Sequence, residues 1–89
     1  MTKHIDIKIY GTVQGVGFRQ AIKAKADSLN ITGYTRNIPN GSVYVEAEGE
    51  EKDLNKLVEW CNDGPESAEV EEVKVLEGPI KVFDDFKAL

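Results

Sequence analysis

Apolar residues alternate between the spacing of a strand and that of a helix, and this alternation constrains the fold more than any other feature. Ile5, Ile7 and Ile9 are separated by polar residues, a period of two that predicts a strand with one buried face. From Phe18 the apolar residues recur at positions 18, 22, 26 and 29, which is the stripe of an amphipathic helix ending at Asn30. The chain therefore begins with a strand followed by a helix.

The same alternation continues to the C-terminus. In chain order it predicts a strand at 33–38, a turn at Pro39-Asn40-Gly41, a strand at 42–48, a helix from Gly49-Glu50-Glu51 to Gly64-Pro65, a strand at 70–75 and a short edge strand within 78–89. Asn-Gly favours a tight hairpin turn. The apolar phase slips between Val70 and Val73, which predicts either a β-bulge or a later start of the strand.

The predicted order is strand, helix, strand, strand, helix, strand. Each helix has one apolar stripe, so we expect both helices to cover the same face of an antiparallel sheet. This is an α+β fold of the ferredoxin-like, split βαβ type (βαββαβ), with a short extra C-terminal strand. The 89 residues allow one domain, 1–89. Many unrelated functions use this fold, so it does not by itself identify the activity.

Charge is distributed unevenly along the chain. The formal net charge is −5, yet residues 1–45 carry a net positive charge and residues 46–89 a strongly negative one. We expect a small anion to bind in the first half and no nucleic acid to bind, because the acidic half repels phosphates. A solvated surface that is merely uneven explains the charge equally well.

Cellular location and assembly follow from simpler features. No apolar segment approaches the ~18 residues that a membrane span needs, and the N-terminus has no secretory signal. The single cysteine, Cys61, argues for a reducing compartment. We therefore expect a cytoplasmic protein without a membrane partner, and we expect it to be a monomer.

A glycine-rich segment between the first strand and the first helix is the sharpest local feature. It has the sequence Gly11-Thr12-Val13-Gln14-Gly15-Val16-Gly17-Phe18-Arg19. Closely spaced glycines allow successive N–H groups to point inward, and no residue at 16–18 can cap the helix. A bound phosphate could supply the missing acceptor, and Arg19 could bind it through two parallel hydrogen bonds. A tight turn with a surface arginine is the alternative, but the missing cap favours a phosphate site formed by Gln14, Gly15, Val16, Gly17, Phe18 and Arg19.

The other candidate residues carry weaker signals. Asn37, just before the hairpin turn, offers a donor and an acceptor and could hold a water molecule, although its spacing alone favours a structural role. His4 is expected to be solvated on the outer face of the first strand, and Cys61 to be a buried, inert thiol. The acidic pairs are expected to lie on the surface, exposed to solvent. No residues have the spacing of a zinc or calcium site, so we expect no metal and no cofactor.

Two long motifs connect these candidates to a known family. They are the segment 11–19 given above and Gly33-Tyr34-Thr35-Arg36-Asn37-x-x-x-Gly41-Ser42-Val43, followed by Glu46-Ala47-Glu48-Gly49, Trp60 and Gly64-Pro65. Over nearly its whole length the chain closely resembles the acylphosphatase family. The resemblance implies the ferredoxin-like fold and hydrolysis of acyl phosphates to a carboxylate and inorganic phosphate. It also implies that Arg19 binds the phosphoryl group and that Asn37 orients the attacking water.

Some positions depart from the family pattern. Thr35 stands where the family usually has a small apolar residue, and Gln20-Ala21 follows Arg19 where an aromatic residue is common. The segment 82–86 matches the family's last strand imperfectly. These departures bear on substrate fit and on the path of the C-terminal segment.

The sequence leaves two alternative functions open. One is a non-catalytic, ferredoxin-like module that binds an anion or RNA, for which Tyr10 and Tyr44 would have to form a stacking surface on the open sheet face. The other is an isolated acylphosphatase-like domain of a hydrogenase-maturation carbamoyltransferase. A chain running from Met1 to Leu89 without zinc-binding cysteines favours a stand-alone enzyme over that domain.

Overall fold

The computed structural model describes all residues, 1–89, and contains five strands and two helices. In chain order these are β1 (Thr2–Thr12), α1 (Phe18–Ser28), β2 (Thr32–Asn37), β3 (Val43–Glu50), α2 (Glu51–Asp63), β4 (Glu69–Gly78) and β5 (Phe86–Ala88). The order confirms the sequence prediction, including the short C-terminal strand. β3 runs directly into α2, so this helix begins at Glu51, slightly later than expected.

The strands form one sheet in the order β4-β1-β3-β2-β5. β1 to β4 pair antiparallel, as predicted for the ferredoxin-like fold. β5 differs because it pairs parallel with β2, so the sheet is mixed. β4 and β5 occupy opposite edges, and residues 79–85 carry the chain from one edge to the other. Because the chain crosses the sheet before β5 begins, β5 runs in the same direction as β2.

Both helices cover one face of the sheet, where the apolar core lies. Alternating residues of the central strands meet the helix stripes, and the buried set includes Ile5, Ile7, Ile9, Phe18, Ile22, Val43, Val45, Ala47, Leu54, Leu57 and Cys61. Cys61 is buried and unpaired, as predicted, and burial raises the pKa of its thiol to about 12. Neither helix has the length and apolar composition needed to cross a bilayer.

Of the two explanations for the phase slip, the structure shows the bulge, because β4 already begins at Glu69. The β1–β4 register pairs Tyr10 with Glu72 and then Gly11 with Val70, so Glu71 is the extra residue. An extra residue in one strand shifts the alternation of inward and outward side chains. This shift is the physical origin of the phase slip between Val70 and Val73.

His4 lies on the outer face, as expected, but the prediction that it is solvated is wrong. Its side chain is 2% exposed because residues 79–85 cross this face. The His4 Nδ1 atom lies 2.8 Å from Glu48 Oε2, and Nε2 lies 2.9 Å from Asp6 Oδ1. The Phe83 ring stacks on the imidazole with centroids 6.2 Å apart. Neither the crossing nor the Glu48 contact is local in sequence.

Charged residues around His4 form a connected network. The backbone N–H groups of Lys81 and Val82 donate to the Glu48 carboxylate at 2.6 and 3.0 Å. Lys81 Nζ donates to Glu46 Oε1 at 2.8 Å. Ligand-type atoms of His4, Asp6 and Glu46 lie within 4.8 Å of one another, a grouping that sequence spacing did not predict because β1 and β3 contribute its members. The Lys81 ammonium supplies positive charge to this network.

Candidate active site

The segment between β1 and α1 is held at both ends by buried apolar side chains. Val13 and Phe18 are each 1% exposed, and Phe18 packs edge-on against Trp60 with ring centroids 5.7 Å apart. Between these anchors, Gly15 and Gly17 have φ angles of 75° and 76°. Such positive φ values are rarely adopted by residues with a Cβ atom, so the glycines permit this path.

The backbone amides that follow Gln14 are free to bind a ligand. None of the N–H groups from Gly15 to Gln20 donates to a backbone or side-chain acceptor of the protein. No side chain caps α1, as the sequence predicted. A Cβ atom built on Gly15 or Gly17 would meet no atom within 4 Å, so the space beside these glycines is open. Six consecutive donors at the positive end of a helix suit an anion.

Two side chains tether this segment to its neighbours. Gln14 Nε2 donates to the carbonyl oxygens of Ile38 and Ser42, at 2.7 and 2.9 Å. Ser67 Oγ donates to the carbonyl oxygen of Val16 at 3.0 Å. The Gln14 side chain thus clamps the turn between β2 and β3, so only its backbone remains available to a phosphate. The sequence predicted Gln14 as part of the phosphate site, but it gave no indication that the side chain binds the β2–β3 turn.

Arg19, in the first turn of α1, extends toward the C-terminus and β2. Its Nη1 donates to the carbonyl oxygen of Leu89, whose own N–H donates to the Thr35 carbonyl oxygen at 2.9 Å. A guanidinium group has five N–H donors. The remaining donors of Arg19 are free to bind an anion.

Asn37 is the last residue of β2 and lies on the helix side of the sheet. It pairs with Val43, a core residue of β3. Its Oδ1 atom is buried without a hydrogen-bond partner, and so is Oγ1 of Thr35, two residues earlier on the same face. A buried acceptor without a protein partner is a place where an ordered water is expected.

The fold brings these residues together at one end of β2. Gln14 binds the carbonyl of Ile38, directly after Asn37, and Arg19 reaches Thr35 through Leu89. The glycine-rich segment and Arg19 therefore flank Asn37. The family resemblance predicts all three in one site, but no local feature of the sequence indicates the contribution of Leu89.

Arg36, the only other arginine, lies on the opposite face. It neighbours Asn37 in sequence, but its guanidinium carbon lies 5.9 Å from the centre of the Tyr44 ring, on the outer face of the sheet. Successive strand residues point to opposite faces. Arg36 is thus separated by the sheet from Asn37 and Arg19.

Comparison with known proteins agrees with this arrangement. The family model described as Acylphosphatase matches residues 5–88. The chain belongs to the acylphosphatase family. An acylphosphatase of Acaryochloris marina is 47% identical over 81 residues, covering 91% of this chain and 87% of that relative.

Solved acylphosphatase structures have the same fold. One from Coxiella burnetii superposes with a TM-score of 0.96 at 34% identity, covering 99% of this chain and 93% of that chain. One from Bacillus subtilis gives a TM-score of 0.95 at 31% identity, covering 100% and 99% of the two chains. As a member of the family, the chain hydrolyses acyl phosphates to a carboxylate and inorganic phosphate. The two alternative functions weighed above are not favoured by these matches.

Proposed function

We propose that the segment Gln14–Arg19 binds the phosphoryl group of an acyl phosphate and that Arg19 is its principal charged ligand. The observation that carries this proposal is the run of unpaired amides from Gly15 to Gln20, directly beside a guanidinium group. Backbone donors fixed by the fold need no reorganisation when charge develops on the phosphoryl oxygens. The arginine adds the bidentate geometry that suits a phosphate.

Asn37 orients the attacking water in this proposal. Its unpaired Oδ1 accepts a hydrogen bond from the water and its amide group can donate to the phosphoryl group. The water attacks phosphorus, the bond between phosphorus and the acyl oxygen breaks, and the carboxylate leaves. Holding the water in line contributes through proximity and orientation.

The reaction requires little acid–base assistance. The leaving carboxylic acid has a pKa of about 4–5, by analogy with side-chain carboxyls, so it departs as an anion without a general acid. The water proton can pass to a phosphate oxygen. His4, the one histidine of the chain, lies on the outer face and is not part of the site. The reaction is compatible with its absence there, because it needs neither a general acid nor a general base from the protein.

Replacing each of the two arginines by alanine tests the phosphate-binding role. We expect Arg19→Ala to lower kcat/KM for benzoyl phosphate by about a thousandfold, in the upper range for loss of an oxyanion-stabilising donor. Arg36→Ala is the matched control and should stay within about threefold of wild type, since it lies on the opposite face. Arg19→Lys should also be strongly impaired, because lysine cannot reproduce the bidentate geometry. Equal losses in Arg19→Ala and Arg36→Ala would refute the assignment.

We also propose that residues 1–89 act as a single-domain monomer in the cytoplasm, without a metal or cofactor. Every group of the candidate site comes from one chain, and Arg19 with the free amides provides positive charge for one phosphoryl group. Sedimentation analysis of the active protein should give the mass of one chain. Benzoyl phosphate hydrolysis should be unchanged by a chelator, and activity restored only by added magnesium would contradict this proposal.

A further inference from the structure

The outer face of the sheet carries a row of cations that the acylphosphatase site does not use. The strand registers pair Lys8 with Lys74 and with Tyr44, and Tyr44 with Arg36. Lys74, Lys8, Tyr44 and Arg36 therefore form one row across β4, β1, β3 and β2. Adjacent strands are about 4.8 Å apart, so the row spans roughly 14 Å.

These three cations are unpaired. No carboxylate lies within ion-pair distance of Lys8, Lys74 or Arg36, although acidic residues exceed basic ones by five in the chain. Like charges directly opposite each other on neighbouring strands are destabilising. The Lys8–Lys74 pair is such an arrangement. An anion bound over the row would relieve this repulsion.

Aromatic rings stand on the same face. Lys74 Nζ lies 5.6 Å from the Tyr10 ring centre, and the Tyr34 and Tyr44 rings have centroids 6.1 Å apart at an interplanar angle of 56°. Both Tyr34 and Tyr44 hydroxyls donate to Glu46 Oε2, at 2.5 and 3.1 Å. Glu46 therefore fixes the positions of two rings before any ligand arrives.

Glu46 does not oppose an anion as a free carboxylate would. Glu46 is 4% exposed, and Lys81 Nζ lies 2.8 Å from Glu46 Oε1. Burial alone would raise the pKa of Glu46, but hydrogen bonds from Lys81 and the two tyrosines outweigh burial and lower the pKa. The negative charge is thus compensated by the lysine of the segment that crosses this face.

Two of the three cations, Lys8 and Arg36, line a cavity of about 350 Å³, and Lys74 lies outside it. The rest of the lining comes from Tyr10, Tyr34, Tyr44 and Glu46, together with residues of the turn that follows Asn37. Aromatic faces accept a planar ring by stacking, and a row of cations suits a dianionic phosphate better than a carboxylate. We propose that this cavity, here called the outer-face cavity, binds a small aromatic phosphate of mononucleotide size.

The occupant is a free small molecule and not a strand of nucleic acid. Acidic residues border the cation row on both sides: Glu72 is paired with Tyr10, and Asp6 is paired with Glu46. A polymer that follows several phosphates beyond the row would meet these carboxylates. The cavity volume also matches one ring with its phosphate, which lies within the range of small-molecule sites.

Isotope-labelled protein titrated with adenosine monophosphate tests this proposal by NMR. The Arg19→Ala variant is titrated alongside wild type, because its Gln14–Arg19 segment lacks the principal charged ligand for phosphate while its outer face is unchanged. We expect amide shifts at Lys8, Arg36 and Tyr44 in both proteins, with Gly15 to Gln20 unmoved in the variant. Adenosine, which lacks the phosphate, should bind at least fivefold more weakly.

Matched variants identify the cations involved. Lys8→Gln removes an exposed charge without touching the core, and it should weaken adenosine monophosphate binding at least fivefold while leaving benzoyl phosphate hydrolysis unchanged. Lys52→Gln, an exposed lysine of α2, is the control and should bind normally. Unaltered affinity in Lys8→Gln, or shifts confined to Gly15–Gln20, would overturn the proposal. Binding of hexa-adenylate more than tenfold tighter than the mononucleotide would overturn it in favour of single-stranded nucleic acid.

Discussion

Two side-chain oxygens on the helix side of β2, those of Thr35 and Asn37, are buried without hydrogen-bond partners. Leaving a buried polar atom unpaired costs about 1–3 kcal/mol, so an ordered water is expected beside both atoms. The family resemblance predicted Asn37 from sequence. The environment of Asn37 could not be predicted, because it depends on Leu89 and Gln14, which reach β2 from distant parts of the chain.

Gln14 positions the turn between β2 and β3, to which its side chain donates two hydrogen bonds. We expect Gln14→Ala to lower the free energy of unfolding by about 2 kcal/mol, since two hydrogen bonds to the β2–β3 turn are lost. It should also lower kcat more than it raises KM, because the turn that follows Asn37 loses its clamp. Urea unfolding and steady-state kinetics measure both effects. Gln20→Ala, at an exposed position in the first turn of α1, is the control, and an equal effect there would contradict the role of Gln14.

At the scale of elements, the periodicities predicted every strand and helix, because each pattern depends on neighbours within a few residues. The irregularity in β4 was also predictable, since the slip between Val70 and Val73 is local, but the sequence left a bulge and a late strand start as alternatives. The conformation of the segment between β1 and α1 was predictable only in outline. Its glycines allow many paths, and the contacts from Gln14 and Ser67 select one of them.

Phosphate bound to the segment between β1 and α1 should raise the Tm of the protein. A ligand that binds only the native state at a hundred times its dissociation constant adds about 2.7 kcal/mol of stability, which raises Tm of a domain this size by roughly 10 °C or more. Calorimetry in phosphate, compared with chloride at matched ionic strength, measures this shift. Arg19→Ala should reduce it strongly. An equal Tm in both salts would show that the amides of Gly15–Gln20 do not form an anion site.

At the scale of the whole molecule, residues 79–85 connect the two edges of the sheet and bury the network around His4. This connection explains why His4, which lies on the predicted face, is buried and not solvated. Its partner Glu48 is 44 positions away, and the covering segment lacks a regular pattern. Local periodicity assigns a residue to a face, but it does not show whether a distant segment covers that face.

The network predicts loss of stability in acid. Burial alone would raise the pKa of Glu48, but hydrogen bonds from Lys81, His4 and Val82 outweigh it and lower the pKa below the ordinary value of 4.5. A lowered pKa in the folded state stabilises the protein above pH 4.5, and this contribution is lost as pH falls below that value. Glu48→Gln should therefore destabilise the protein more at pH 7 than at pH 3.

Urea unfolding at the two pH values measures this difference. Glu72→Gln, on the exposed surface of β4, is the matched control and should unfold like wild type at both. A destabilisation by Glu48→Gln that is equal at pH 7 and pH 3 would mean that the carboxylate charge is not what stabilises the crossing segment.

In the proposed mechanism, Gly15–Gln20 and Arg19 hold the phosphoryl group while Asn37 acts on the water. Steady-state kinetics of Asn37→Ala with benzoyl phosphate, with inorganic phosphate as competitive inhibitor, separates these two roles. A group that orients water acts in the transition state more than in binding. We predict that kcat falls by at least about a hundredfold, that the inhibition constant for phosphate stays within about threefold of wild type, and that Tm changes little. A kcat within a few-fold of wild type, with a lowered Tm, would show that Asn37 only supports the end of β2.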